Sequence, residues 1–475
     1  MLKYRMYKIL RFFHLISKKK YKKKTAKYTK DYKLIARSKL FDKSWYLKCN
    51  PDVKKAGFDP ILHYMHYGWK EGRNPSKEFN GNEYLYNYAG VRKAKLNPLL
   101  HYLKYGQKEG RVKFKAVTPN VALYKKIRSI VNRREMRKIL LVSHELTYTG
   151  APLSLLQAAK LLIDNNYKVE VLSLKDGDLR KEFAQIGVRV SILPQSSTFK
   201  LLKAAVLNDL AIVNTLVPYR QYAILSQVLP TIWWVREPVE MAERNPSLLM
   251  TLKKAQNIYV MSEYSQESFS PYNNSVRVIK HGMVDAYQQV KMNREKLSFA
   301  VIGTISARKG IDVLVDAVAL LPEKIRKKAD FYVVGRNLLP EDRYNELKAK
   351  AEALNIISLP PIADSAVMLK FYEQISCAIV PSREEPTSRV AIEAMMMGRP
   401  VIMSDHVGAR YLLNGKNGYV FASENAKELK EILKEVIQNP AKLYNMENEC
   451  RSAYLNNNSI DVLATNLKNM INSVK

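Results

Sequence analysis

From Lys138 onward the chain alternates short apolar runs with segments of helical periodicity, and it does so in two series. KILLVS (138–143), KVEVLSL, VRVSIL, LAIVNT, TIWWVRE, NIYVMS and VRVIKHG (276–282) read as strands, with helical stretches such as Leu153–Asn165 between them. After a polar link rich in Gln, Lys and Asn, a second series opens at LSFAVIGTI (297–305). It continues through ADFYVVG, ISLPP, CAIVPS and RPVIMSD. Strands separated by helices pair in parallel, because only a crossover returns the chain to the same end of a sheet. The expected fold is therefore α/β: two doubly wound, Rossmann-like domains, 138–293 and 294–440, facing a cleft at the carboxyl ends of their strands. The helical segments of 441–475 either finish the second domain or cross back to the first.

The residues before this alternation follow another rule. Phe41–Pro75 and Phe79–Lys113 match without a gap at a spacing of 38, through Phe41/Phe79, Tyr46/Tyr84, Pro60/Pro98, His63/His101, Gly68/Gly106 and Arg73/Arg111. A fixed period signals a duplicated supersecondary unit, mainly helical, over 41–115. The PxLHYxxxG pattern predicts a short helix closed by a glycine cap. The paired His, Tyr and Arg read as the packing signature of the repeat. A linker, 116–137, comes next.

The formal charge is +34, and Met1–Leu40 holds 15 Lys and Arg against one acid, Asp31. Leu2, Met6, Ile9, Phe13 and Ile16 fall on one helical face there. That pattern suits a basic amphipathic segment, 1–40, lying on an anionic membrane surface. No nucleic-acid reader motif accompanies the charge, so nucleic acid is not expected as a partner. Cys49, Cys377 and Cys450 are far apart and odd in number, which indicates neither a disulfide framework nor a zinc site. With no signal peptide and no run of 18 apolar residues, the expected location is cytoplasmic, peripheral on the inner face of the plasma membrane.

Three loops carry candidate chemistry. SHELTYTGAP (143–152) places Gly150 and Ala151 before a helix, where the backbone can approach an anion. GTISARKG (303–310) sets Arg308 and Lys309 at a helix N-terminus, a position that opposes the macrodipole unless an anion is bound. PSREEPTSRVAIEAMMMGRPVI (381–402) sets Glu385 and Glu393 eight residues apart. Eight helical steps rise about 12 Å, beyond the roughly 5–9.5 Å of carboxylate pairs that share one glycosidic bond. The two acids suit opposite ends of a long ligand. The plain alternative is a surface charge ladder of Glu385, Arg389 and Glu393.

Taken together, the three motifs resemble family 4 retaining glycosyltransferases of the GT-B fold over Lys138–Lys475. The repeat resembles one found beside some bacterial polysaccharide glycosyltransferases. The resemblance implies a nucleotide diphosphate sugar donor, a glycan or lipid-linked acceptor, and no bound metal or cofactor. No Asp-x-Asp motif is read around the cleft loops. By that likeness Lys309 holds the donor diphosphate with Gly303 and Gly150, Glu393 binds the ribose and Glu385 reaches the sugar. Backbone N–H groups of Thr387 and Ser388 meet sugar or phosphate. Two positions depart from the pattern. Thr304 stands where relatives often carry Arg, with Arg308 a candidate replacement, and Arg236, read as a cleft residue contacting donor or acceptor, stands where many carry His. Both departures also suit a degenerate transferase kept as a glycan-binding scaffold.

Overall fold

The computed structural model describes residues 30–111, 138–193, 198–287, 295–362 and 364–474, with residues 113, 124, 126, 127 and 292 between them. The basic amphipathic face over residues 2–16 lies outside the described residues.

Seven parallel strands form the first sheet: β1 (Lys138–Ser143), β2 (Lys168–Ser173), β3 (Arg189–Ile192), β4 (Leu210–Asn214), β5 (Thr231–Trp234), β6 (Ile258–Val260) and β7 (Val276–Val278). Their order is β3-β2-β1-β4-β5-β6-β7, with Leu141 aligned to Val171 on one side and to Ile212 on the other. The second sheet contains β8 (Leu297–Ile302), β9 (Ala329–Val334), β10 (Ile357–Leu359), β11 (Cys377–Val380), β12 (Val401–Ser404) and β13 (Gly418–Phe421), in the order β10-β9-β8-β11-β12-β13. β4 and β8 are buried along their whole length because helices cover both sheet faces, which is why they read as unbroken apolar runs. The strand order reverses between β1 and β4 and again between β8 and β11. Loops diverge there and leave a crevice at the carboxyl ends. β13 is absent from the sequence reading. It is a short edge strand on β12, and only two of its four residues are buried.

Five helices frame the site or close the two cores: α1 (Gly150–Asp164), α2 (Ile311–Ala319), α3 (Arg389–Met396), α4 (Glu447–Asn458) and α5 (Ile460–Asn472). α1 begins at Gly150, three residues before its helical periodicity does, so the Gly-Ala pair forms its first turn. The last two helices part company. Cys450 and Tyr454 of α4 lie in the core of the second sheet, whereas Leu463, Leu467, Met470 and Ile471 of α5 complete the core of the first with Ile139, Leu155 and Phe183. The chain thus crosses back to its first sheet domain. The return crossing is tied to the outward one: Met283 N–H donates to Asn458 O at 2.8 Å, Tyr454 Oη donates to Met283 O at 2.8 Å, and Asn458 Nδ2 donates to His281 O.

The repeats make a separate unit together with Glu240–Lys254, the excursion between β5 and β6. Its core joins Phe41, Tyr46 and Tyr64 to Phe79, Tyr84 and Tyr102. Matched positions make matched contacts. Tyr46 Oη lies 2.9 Å from His63 Nδ1, and Tyr84 Oη lies 3.0 Å from His101 Nδ1. Gly68 and Gly106 are not helix caps. They sit inside π-helical turns, where a Cβ would come within 2.1 and 2.3 Å of the two tyrosine hydroxyls. Each glycine is therefore a slot for the Tyr–His pair. The excursion is held through Asn80 Nδ2, which donates to Asn245 Oδ1 at 3.0 Å, and through Ser247 and Glu83.

Candidate active site

The loop after β8 turns sharply through Gly303 and a single 3-10 turn, Ala307–Lys309, before α2. Gly310 ends that turn at φ 65°, a left-handed conformation that disfavours a Cβ. A Cβ there would also lie 2.0 Å from Pro381 O, so glycine is what lets this loop meet the loop after β11. Both loops leave strands at the switch point of the second sheet.

Their meeting brings two of the candidate residues onto the carboxylate of a third. Lys309 Nζ lies 2.6 Å and Arg308 Nη1 lies 2.7 Å from Glu385 Oε2. Arg308 also donates to Glu384 O at 2.7 Å. Lys309 and Glu385 are largely shielded from solvent, at 16% and 14% side-chain exposure, while Arg308 is 43% exposed. The lysine side chain lies against Gly303, whose missing Cβ would be 3.9 Å from Nζ. The two cations that oppose the α2 dipole are thus answered by Glu385. Glu385 is not part of a helical ladder: it precedes α3, and its backbone is held by His406 O at 3.0 Å and Gly408 N at 2.7 Å.

Glu393, one turn into α3, is fixed from two sides. Arg389 Nε donates to its Oε1 at 2.7 Å, and Tyr372 Oη donates to Oε2 at 3.0 Å. Tyr372 is fully buried, and its carbonyl accepts from Arg399 Nε at 2.9 Å, so Arg399 positions the residue that positions Glu393. Ser388 is the N-cap of α3: its Oγ accepts from Ala391 N at 3.2 Å and its carbonyl accepts from Ile392 N at 3.2 Å. Thr387 Oγ1 is buried without a hydrogen-bond partner. Thr304 is half-buried in the turn after Gly303.

On the first sheet, Ala151 joins Arg236 through Asn214, while Gly150 O accepts from Ser154 Oγ at 2.8 Å. Asn214 Nδ2 donates to Ala151 O at 3.0 Å, and Arg236 Nε donates to Asn214 Oδ1 at 2.7 Å. The guanidinium stacks on Trp234 at 4.0 Å, and burial lowers its pKa to about 9. Glu237 points elsewhere, with Oε2 accepting from Leu216 N at 2.9 Å, and burial raises its pKa. Thr215, between these groups, holds a left-handed φ of 78°, an unfavourable conformation for a β-branched residue at the mouth of a sheet. His281 is buried near Ser154 of α1, and burial followed by the nearby Arg236 and Arg389 charges pushes its pKa down to about 3. It is therefore neutral throughout the physiological range.

An Asp-x-Asp sequence does stand at the end of a strand, which corrects the sequence reading: Asp176-Gly177-Asp178 follows β2. Asp176 is already bound there, one oxygen to Arg180 at 2.8 Å and the other to Gly177 N at 3.0 Å. Asn214, Tyr372 and His281 also escaped the sequence reading. They belong to no local pattern, and each acts on a residue at least 21 positions away.

A model of glycosyltransferase family 4 matches residues 135–286, and a model of group 1 glycosyl transferases matches residues 285–453. The two matches are contiguous and follow the two sheets. The chain belongs to the family 4, group 1 glycosyltransferases. An uncharacterized glycosyltransferase of Methanocaldococcus jannaschii is 28% identical over 162 residues, covering 32% of this chain and 42% of that protein. The lipopolysaccharide glucosyltransferase WaaG of Escherichia coli is 27% identical over 169 residues, covering 34% of this chain and 44% of WaaG. The chain thus aligns with less than half the length of these relatives. Among solved structures, Anabaena HepE in complex with UDP superposes with a TM-score of 0.62 at 20% identity, over 71% of this chain and all of HepE. The WaaG structure gives 0.52 at 14% identity, over 70% of this chain and 98% of that one. The shared architecture is the GT-B fold.

Proposed function

We propose that this group 1 glycosyltransferase moves a sugar from a nucleotide diphosphate sugar to a glycan or lipid-linked acceptor, with retention of anomeric configuration, in cell-surface polysaccharide or glycoconjugate synthesis. The carrying observation is the convergence of Lys309 and Arg308 on Glu385 at the switch point of the second sheet. HepE has been solved with UDP-glucose as well as with UDP, which supports a donor of this class. In the reaction the anomeric C–O bond to the diphosphate breaks, and the leaving group keeps the electron pair. An acceptor oxygen forms the new bond on the same face and passes its proton to the departing diphosphate oxygen. Lys309 and Arg308 stabilise the charge that grows on the diphosphate, Glu393 grips the ribose and Glu385 meets the sugar.

The arriving diphosphate competes with Glu385 for both cations. Glu385→Gln should therefore bind a nucleoside diphosphate more tightly than wild type while transferring sugar at least about tenfold more slowly. A thermal-shift screen of nucleoside diphosphate sugars on the full chain, followed by turnover with the stabilising donor, tests this. A protein stabilised by no donor and turning over none would instead be a glycan-binding scaffold, the reading that Thr304 and Arg236 favour.

Membrane attachment through the basic N-terminal segment, at the inner face of the plasma membrane, is part of the same proposal. Removing residues 1–39 should abolish co-sedimentation with anionic liposomes, and unchanged co-sedimentation would exclude that role. No helix among the described residues is long and apolar enough to cross a membrane.

A further inference from the structure

Two buried polar atoms on either side of one short stretch meet no hydrogen-bond partner: Arg236 Nη2 and Thr387 Oγ1. Arg236 Nη1 lies 3.7 Å from Met261 Sδ. The next residue, Ser262, donates Oγ to Pro386 O at 2.5 Å, and Ser265 Oγ donates to the same oxygen at 3.1 Å. Thr387 comes directly after Pro386. Both orphaned groups are therefore gathered around Met261–Ser262 at the end of β6, one from each sheet domain.

No internal ion pair explains the arginine. Among the described residues no carboxylate pairs with the guanidinium, and the neighbouring Glu237 spends Oε2 on the backbone N–H groups of Leu216 and of Arg236 itself. The nearest carboxylate, Glu237, attracts the guanidinium but makes no hydrogen bond to it. His281 is neutral, and Arg389 brings a second cation already bound to Glu393. A buried guanidinium nitrogen with no hydrogen-bond partner is costly, and it persists where an acceptor is to be bound. The guanidinium is also held rigidly, by Asn214 at Nε and by the Trp234 ring beneath it.

We infer that Arg236 Nη2 and Thr387 Oγ1 are the two donors of an oxyanion site for a phosphoryl group, closed between the two sheet domains. A carboxylate would use two N–H groups along one edge of the fork, but Nε is committed and Nη1 faces sulfur. A phosphoryl group spreads its oxygens tetrahedrally, so one takes an Nη2 N–H while another takes the threonine hydroxyl. The phosphoryl group has two sources, the donor diphosphate or a phosphate on the acceptor. Only the first rests on the function proposed above.

Calorimetric titration of the full chain with inorganic pyrophosphate, and of UDP-saturated protein with inorganic phosphate, tests the site. Arg236→Gln should weaken one of these roughly ten- to hundredfold, and Thr387→Val roughly three- to tenfold. Thr387→Val preserves side-chain shape and carries the test if Arg236→Gln fails to fold. Without ligand, Arg236→Gln should melt at or above the wild-type temperature, because a buried unpaired charge is gone. A loss seen with pyrophosphate assigns the site to the donor, and one confined to phosphate on UDP-saturated protein assigns it to the acceptor. Wild-type affinity for both anions in both variants, or no saturable binding of either by the wild type, overturns the inference. Lys309→Ala separates the two proposals. If it loses pyrophosphate while Arg236→Gln and Thr387→Val keep both anions, only the oxyanion site falls. If it binds normally while Arg236→Gln does not, the oxyanion site stands and the donor role of Lys309 falls.

Discussion

Replacing Lys309 with alanine should lower kcat/KM for sugar transfer about 100- to 1000-fold, the scale seen when one preorganised group aimed at developing charge is removed. The ammonium is placed for that role by its surroundings more than by its own chain. Gly303 leaves space beside it, Gly310 draws its loop onto Pro381, and Glu385 holds it 2.6 Å away in a largely dry setting. Little of the loss should come from unfolding, because Arg308 still pairs with Glu385 and the α2 core residues Ile311, Leu314 and Val318 are untouched. Lys309→Arg restores charge with a different reach and should recover part of the rate. The check is steady-state kinetics with the donor that stabilises the protein, alongside thermal melting of each variant. A loss below about threefold would remove Lys309 from the chemistry.

A chain ending at Asn458 loses its first sheet domain. α5 supplies Leu463, Leu467, Met470 and Ile471 to that core, each at most 2% exposed. Truncating a single buried Leu, Ile or Met costs about 2–5 kcal/mol, and whole domains are stable by about 5–15 kcal/mol. Removing four such side chains with their helix should exceed what the first domain can withstand. The second core keeps its own closing helix, because Cys450 and Tyr454 of α4 precede the cut. Limited proteolysis should therefore degrade the region around β1–β7 while a fragment spanning β8–β13 persists. Equal protection of both halves would show that α5 is dispensable.

Much of the architecture was readable before any coordinates. Twelve of the thirteen strands announce themselves as apolar runs, since a parallel sheet covered on both faces needs no alternation to hide its side chains. β13 did not, because a short edge strand with half its residues buried carries too weak a signal. The GTISARKG and PSREEPTSR loops were visible as a local conflict of charge and dipole and as two spaced acids. Their partners were not. Glu385 as the common acceptor of Arg308 and Lys309 spans 77 and 76 residues, and Tyr372 reaches Glu393 across 21. In the repeats, the glycine that reads as a cap is a slot for a tyrosine hydroxyl, which only the packed pair reveals.

Residue pattern alone calls for two doubly wound sheets in series after a duplicated helical unit, and for two loops suited to an anion. Periodicity and local charge report which face of each element must be buried and where a dipole is unopposed. Packing settled the rest: that α5 returns to the first sheet, that Glu385 turns to the cations instead of lengthening a helical ladder, and that Arg236 Nη2 is left buried without a partner. Local patterns carry the demand for a partner but not its identity, because the partner is set by which distant residues the folded backbone brings within a few ångströms.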